Sequence, residues 1–250
     1  MLATLLGAAL LAAAPLDAPH AALLAVASRG EQGGVCAPGE LRTAAANARI
    51  LALGRLGSDD VILAAVDARC ICGEHNCPIY AIRYGSGSPR GVLATFGYRS
   101  DTHPAKPLPQ IVVLGHDSAM VSDEETFAYR DGAYVAVGQA RVRSSDNARK
   151  PNNAPVRFAP GASSARLHGT ASMGWYDEYA FGAKRGQKLT IDGVTSRARL
   201  VMLLYGQGYA SVAELRPGVP YTLPESGTYR LHVELDSERD LPYALNLAIR

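Results

Sequence analysis

From Gly227 the chain alternates. Tyr229, Leu231, Val233 and Leu235 are apolar, while Arg230, His232 and Glu234 between them are polar. Period two buries one face of a strand and wets the other. Tyr243, Leu245, Leu247 and Ile249 repeat the pattern at the end of the sequence. Tyr176–Phe181, Leu189–Ile191 and Leu200–Tyr205 are further apolar stretches of strand length, set apart by turn sequences such as Lys184-Arg185-Gly186-Gln187. Short, evenly spaced strands predict an all-β sandwich or jelly roll over residues 155–250. Upstream, Glu40–Asn47 has helical propensity. Ile50–Leu53 and Val61–Val66 flank the turn-like Gly57-Ser58-Asp59-Asp60, which predicts a hairpin. Ile79–Tyr84, Gly91–Tyr98, Ile111–Leu114, Thr126–Tyr129 and Tyr134–Val137 follow as strands. Asp131-Gly132 is a two-residue hairpin signal between the last pair. Residues 30–145 therefore read as a small α+β, β-rich domain. The polar, Asn- and Pro-bearing run 144–155 reads as the linker between the two domains.

The first residues change the compartment. Leu2–Ala14 is an apolar run of export-leader length, too short to span a bilayer with ease. Ala25-Val26-Ala27 before Ser28 is a small-residue cleavage site, so residues 1–27 are read as a signal peptide. No later stretch has about 20 apolar residues, so no transmembrane segment is expected after cleavage. Export gives the four cysteines an oxidising environment. Cys36, Cys70, Cys72 and Cys77 allow three pairings, and spacing alone does not choose among them. The pairing adopted is Cys72–Cys77 around Gly73-Glu74-His75-Asn76, with Cys36–Cys70 tying down the N-terminal end. Cys70, Cys72, His75 and Cys77 also form a zinc-like set, but structural zinc usually draws ligands from two separated pairs, and no metal is expected here.

Composition excludes several classes. The 250 residues are 48% hydrophobic and 19% charged, which is not a disordered chain. Their net charge of +2 is interspersed, unlike the one-sided basic surface of a nucleic-acid binder. No nucleophile elbow, zinc helix, phosphate loop or dinucleotide fingerprint occurs, so no cofactor is expected. His116-Asp117-Ser118 is triad-like only on paper, because successive strand residues face opposite ways; a strand end and a polar turn are expected there. Asp123-Glu124-Glu125 is read as a solvated loop. No catalytic residue is assigned, and the protein is not read as an enzyme.

Three stretches carry a family resemblance. They are Val156-Arg157-Phe158-Ala159-Pro160-Gly161-Ala162-Ser163-Ser164-Ala165, Ala183-Lys184-Arg185-Gly186-Gln187-Lys188, and Leu223-Pro224-Glu225-Ser226-Gly227-Thr228-Tyr229. With Gly174-Trp175-Tyr176-Asp177-Glu178-Tyr179-Ala180-Phe181 between them, residues 156–250 resemble the periplasmic inhibitors of g-type lysozyme. The resemblance implies a β-sandwich that occludes a muramidase cleft, a lysozyme as partner, and a periplasmic or secreted location. It maps Ser226, Gly227 and Tyr229 onto the family's Ser-Gly-x-Tyr motif, and Tyr176 and Tyr179 onto its tyrosine-bearing strand. Arg230, one step on, is nominated as a cationic donor to the enzyme's carboxyl groups. The loop Asp236-Ser237-Glu238-Arg239-Asp240 is mostly acidic, with Arg239 as its one cation. Tyr229 shares the apolar face of its strand, so its ring is expected in the core with its hydroxyl holding the loop. The rival reading is a module that binds envelope glycan or protein, with Trp175, Tyr205, Tyr209 and Tyr221 as exposed stacking rings.

Overall fold

A computed structural model describes residues 15–30, 36–73 and 75–250. They are mostly β, with two α-helices and several sheets. Two compact units emerge. The first comprises residues up to 110 with 128–135; the second comprises 111–127 and 136–250.

In the first unit, α1 (Ala18–Ala27) and α2 (Pro38–Asn47) precede a four-stranded antiparallel sheet. Its strands, in spatial order, are β1 (Ile50–Leu56), β2 (Asp59–Ala65), β3 (Cys77–Tyr84) and β4 (Arg90–Gly97). The predicted β1–β2 hairpin is present, and Gly57 sits at its turn with φ 64°, where a side chain would be strained. β5 (Arg99–His103) follows. Leu23, Leu41, Ile62 and Ile82 form the centre of the core. Both disulfides are those adopted from the sequence, Cys36–Cys70 and Cys72–Cys77. Asp67 and the Sγ atoms of Cys72 and Cys77 lie together, but the two sulfurs are bonded to each other.

Residues before Ser28 contribute to this core. Asp17 caps α1 by accepting the His20 N–H at 3.1 Å. Ala22, Leu23 and Ala27 of that helix are buried, and Leu24 and Val26 pack beside them. A cut after Ala27 would strip a helix from the core. The apolar run Leu2–Ala14 lies outside the described residues.

The second unit takes β6 (Gln110–His116) from Ile111 onward and β7 (Val121–Arg130) up to Phe127, which pair antiparallel. Asp131 and Gly132, both at positive φ, turn the chain into β8 (Ala133–Arg143), as the Asp-Gly signal predicts. His116 ends β6, and the Ser118 hydroxyl accepts the Val121 N–H at 3.1 Å, closing a polar turn. Asp123-Glu124-Glu125 is no loop: all three residues lie in β7, and buried Glu124 meets Arg149 at 2.7 Å.

The 144–155 segment is built into this unit. It contains β9 (Arg149–Pro151), paired with β8, and β10 (Ala154–Pro155), which adds parallel to β12 (Asp177–Ala183). Its polarity serves specific bonds: Lys150 meets Asp177 at 3.0 Å, and the Asn153 N–H donates to Glu178 at 2.7 Å.

The remaining strands are β11 (Ser164–Ala171), β13 (Lys188–Ser196), β14 (Leu200–Tyr205), β15 (Ser211–Glu214), β16 (Tyr221–Thr222), β17 (Gly227–Leu235) and β18 (Leu241–Ile249). They form two sheets, β10-β12-β17-β14-β15 and β11-β18-β13-β16. The apolar alternation of β17 and β18 puts Tyr229, Leu231, Val233, Leu235, Tyr243, Leu245 and Leu247 into one core shared by both sheets. Phe181, Ile191, Met202 and Leu204 join them.

Candidate functional site

Gly186, at φ 84°, turns the chain from β12 into β13. The Lys184 N–H donates to Gln187 Oε1 at 2.7 Å and closes that turn. The loop entering β17 lies alongside. The Gly186 N–H donates to the Leu223 carbonyl, and the Leu223 N–H donates to the Gln187 carbonyl, each at 2.9 Å. The Arg185 N–H donates to Ser226 Oγ at 2.9 Å. Behind Ser226, the buried Tyr229 ring stacks on Phe181 with centroids 6.0 Å apart. Its hydroxyl donates to the Glu225 carbonyl at 2.8 Å and accepts the Glu225 N–H at 3.2 Å. The loop is thus held at both ends by a core residue and a neighbouring turn.

What this end presents to solvent is cationic. Lys184, Arg185, Lys188, Ser226 and Gly227 are exposed. Arg250 is exposed too, and its N–H donates to the Lys188 carbonyl at 3.0 Å. Glu225 is the carboxylate on the loop itself.

The other nominated residues lie elsewhere. Arg230 alternates to the opposite face from Tyr229, as strand geometry requires. It donates to Asn153 Oδ1, and its guanidinium lies 4.4 Å from the Tyr209 ring centre. Tyr176 stacks on His232 at 4.2 Å and carries the Arg141 guanidinium at 3.6 Å. The Tyr179 hydroxyl donates to the His168 carbonyl at 3.1 Å and lies 2.9 Å from Tyr243 Oη. Arg239 is exposed in the loop after Leu235, beyond the far end of β17. Ser226, Gly227 and Tyr229 form one loop; Arg230, Tyr176, Tyr179 and Arg239 do not join it. Among the four stacking rings proposed from sequence, Trp175 is buried, Tyr205 and Tyr221 are half-buried, and Tyr209 is exposed.

A buried polar layer lies on the outer face of the β12–β17 sheet, and no motif announced it. Glu178 Oε2 is 2.6 Å from His232 Nε2, while Glu178 Oε1 accepts the Asn153 N–H and, at 3.3 Å, the Tyr209 hydroxyl. Burial pushes the Glu178 carboxyl up, but the His232 bond and the Asn153 N–H outweigh it and hold the group below its usual range. Arg141 is 1% exposed; its Nε donates to Asn152 Oδ1 at 2.9 Å, its guanidinium lies over the Tyr176 ring, and its two Nη atoms have no hydrogen-bond partner among the described residues. Burial lowers the Lys150 ammonium against the opposing pull of Asp177. The one sequence signal for these groups was a polar residue facing outward in alternation, which does not tell a wet face from a covered one.

Several solved structures are similar to this chain. The periplasmic inhibitor of g-type lysozyme from Salmonella Typhimurium is 31% identical over 40% of this chain and 100% of its own, with a TM-score of 0.35. That from Aeromonas hydrophila is 25% identical over 40% and 96%, with a TM-score of 0.34. A mutant of the Escherichia coli protein is 28% identical over 40% and 98%, with a TM-score of 0.33. No family model matches the chain, and no curated protein matches it significantly. Two fifths of the chain thus resemble these inhibitors over almost their whole length.

Proposed function

We propose that this chain, part of which resembles the periplasmic inhibitors of g-type lysozyme, is an exported, non-enzymatic inhibitor of a lysozyme. Residues 155–250 form its lysozyme-inhibitor-like sandwich, and the disulfide-stapled unit of residues up to 110 with 128–135 has a separate role. The location is periplasmic. The observation that carries the reading is the Ser226 loop. What supports it is the Ser226 hydroxyl at the start of β17, which accepts the Arg185 N–H, with Lys184, Arg185 and Lys188 exposed on the adjoining turn. Muramidases hydrolyse glycosidic bonds with paired carboxyl groups in a groove. A preorganised hydroxyl with cations beside it blocks such a groove without chemistry of its own. In this reading Arg185 takes the donor role first given to Arg230, whose guanidinium is committed to Asn153 and Tyr209.

The test is a cell-wall lysis assay of g-type, c-type and i-type lysozymes with and without the purified protein. Stoichiometric inhibition of the g-type enzyme is expected. If no lysozyme is inhibited, the reading fails, and binding to envelope glycan through Tyr209, exposed beside Arg230, takes its place.

A further inference from the structure

The far end of β17 is built differently from the Ser226 end. A cavity of about 540 Å³ opens there, lined by Met120, Val121, Arg143, Met173, Trp175 and Glu238 among others. Trp175 is its floor at 4% exposure, while Met120 and Met173 are 57% and 52% exposed. The walls are fixed. Ser172 and Trp175 exchange backbone hydrogen bonds, and the Met173 N–H donates to the Ser237 carbonyl at 2.8 Å. Gly174, at φ 71°, makes the turn between them. A Cβ there would come within 3.3 Å of the Met120 methyl, so glycine also lets that side chain lie across the cavity wall.

The charge around this apolar floor is negative. Glu238 lines the cavity. Glu234 accepts the Gly174 N–H at 2.8 Å, and Asp240 accepts the Ser172 hydroxyl at 2.8 Å. Arg143 lies over the Trp175 ring, but its one charge is divided between Asp146 at 2.7 Å and Asp240 at 2.9 Å. Lys150, which donates to the Trp175 carbonyl, is matched by Asp177. Glu234, Glu238, Asp146 and Asp240 therefore outnumber the guanidinium groups of Arg143 and Arg239 at this end, on a chain whose net charge is +2.

We infer that this cavity is a second binding surface, one that takes a cationic polypeptide segment carrying a bulky apolar side chain. The apolar residue fills the space over Trp175. The two methionines, flexible and polarisable, reshape around it. Lysine or arginine on either side of it meets Glu238, Glu234 and Asp240. Exposed thioethers around a buried aromatic floor with a charged rim are the anatomy of a protein-recognition pocket. The surface is distinct from the Ser226 loop, and this inference does not depend on the lysozyme reading.

Trp175 is the chain's one tryptophan, so its emission reports the floor directly. The full-length protein is titrated with a short Lys/Leu peptide, a Glu/Leu peptide of equal length and a chito-oligosaccharide, by fluorescence and by calorimetry in parallel. The expected result is saturable binding of the Lys/Leu peptide alone. Met173→Asp and Glu238→Lys, both surface changes, should each weaken it by about tenfold or more while the melting temperature stays unchanged. Absence of saturable binding in both measurements overturns the inference. So does equal binding of the Glu/Leu peptide or the oligosaccharide, or unaltered affinity in both variants.

Discussion

Lys150 Nζ lies 3.0 Å from Asp177 Oδ1, both side chains largely withdrawn from solvent, and donates as well to the Thr170 carbonyl. This pair fastens the polar 144–155 run to the sheet. Removing one partner of such a pair leaves the other charge uncompensated, which costs about 3–5 kcal/mol. Lys150→Met is expected to lower the free energy of unfolding by about that amount in urea denaturation. A loss within error of zero would mean that solvent already screens the pair.

The same bonds predict how the chain can be divided. A fragment of residues 155–250 loses Lys150, Asn153 and Arg141, the partners these supply to Asp177, Glu178 and the Tyr176 ring. A fragment of residues 111–250 keeps them. Calorimetry should show a cooperative transition for the longer fragment and a lower or absent one for the shorter. Equal transitions would restore 144–155 as a mere linker.

Leader processing is expected upstream of Asp17. Cleavage after Ala27 would remove Leu23, which is fully buried, and with it the packing of α1. Intact mass of the exported protein should retain residues 17–27. Leu23→Ala should cost about 2–5 kcal/mol, the usual range for opening a core cavity. A recovered mass beginning at Ser28, with unchanged stability, would show that the helix is dispensable.

At the Ser226 loop, position decides between function and stability. Ser226→Ala combined with Arg185→Ala should weaken lysozyme inhibition by about 100-fold, since charge-assisted hydrogen bonds contribute about 1.5–3 kcal/mol each. The melting temperature should barely move. Tyr229→Ala should cost about 3–5 kcal/mol of stability instead, because its ring is core and its hydroxyl holds Glu225. Arg230→Ala should leave the inhibition constant unchanged. Inhibition curves and thermal melts of the three variants separate these outcomes.

Glu178 sets an acid limit. Its carboxyl titrates lower in the folded chain than in the unfolded one, so the unfolded state binds the proton more readily. Its contribution is present above the ordinary carboxylate range and is lost as pH falls through the depressed folded value. Glu178→Gln should therefore flatten the acid side of the stability curve while lowering the plateau near neutrality. An acid limb of unchanged steepness in the variant would assign the effect to other carboxylates, such as Asp146, which Arg143 holds at about 2.

Local patterns were legible where the physics is local. The β17 alternation located the core face, Asp131-Gly132 located a turn, and the apolar stretches located most strands, though β5, β11 and the short β9, β10, β15 and β16 passed unnoticed. Distant partners were not legible. Glu124 looked solvated because the Arg149 that neutralises it stands in another strand, 25 residues on. Arg230 looked like a neighbour of Ser226, but alternation sends it to the other face, where Asn153 waits. A short alanine-rich helix such as Ala18–Ala27 and the end of an export signal have the same composition, so composition does not separate them.

β17 separates a basic tip from an acidic one. Nine residues of strand span about 30 Å, several times the screening distance of about 8 Å at physiological ionic strength. In salt the two tips are electrically deaf to each other: a charge bound at one does not alter affinity at the other, and both can be occupied at once. In dilute buffer that isolation fades, and the molecule acts as an oriented dipole. It then turns its Lys184–Lys188 tip toward an anionic surface before contact and its Glu238 tip toward a cationic one. Ionic strength thus sets which encounters are fast without changing what fits.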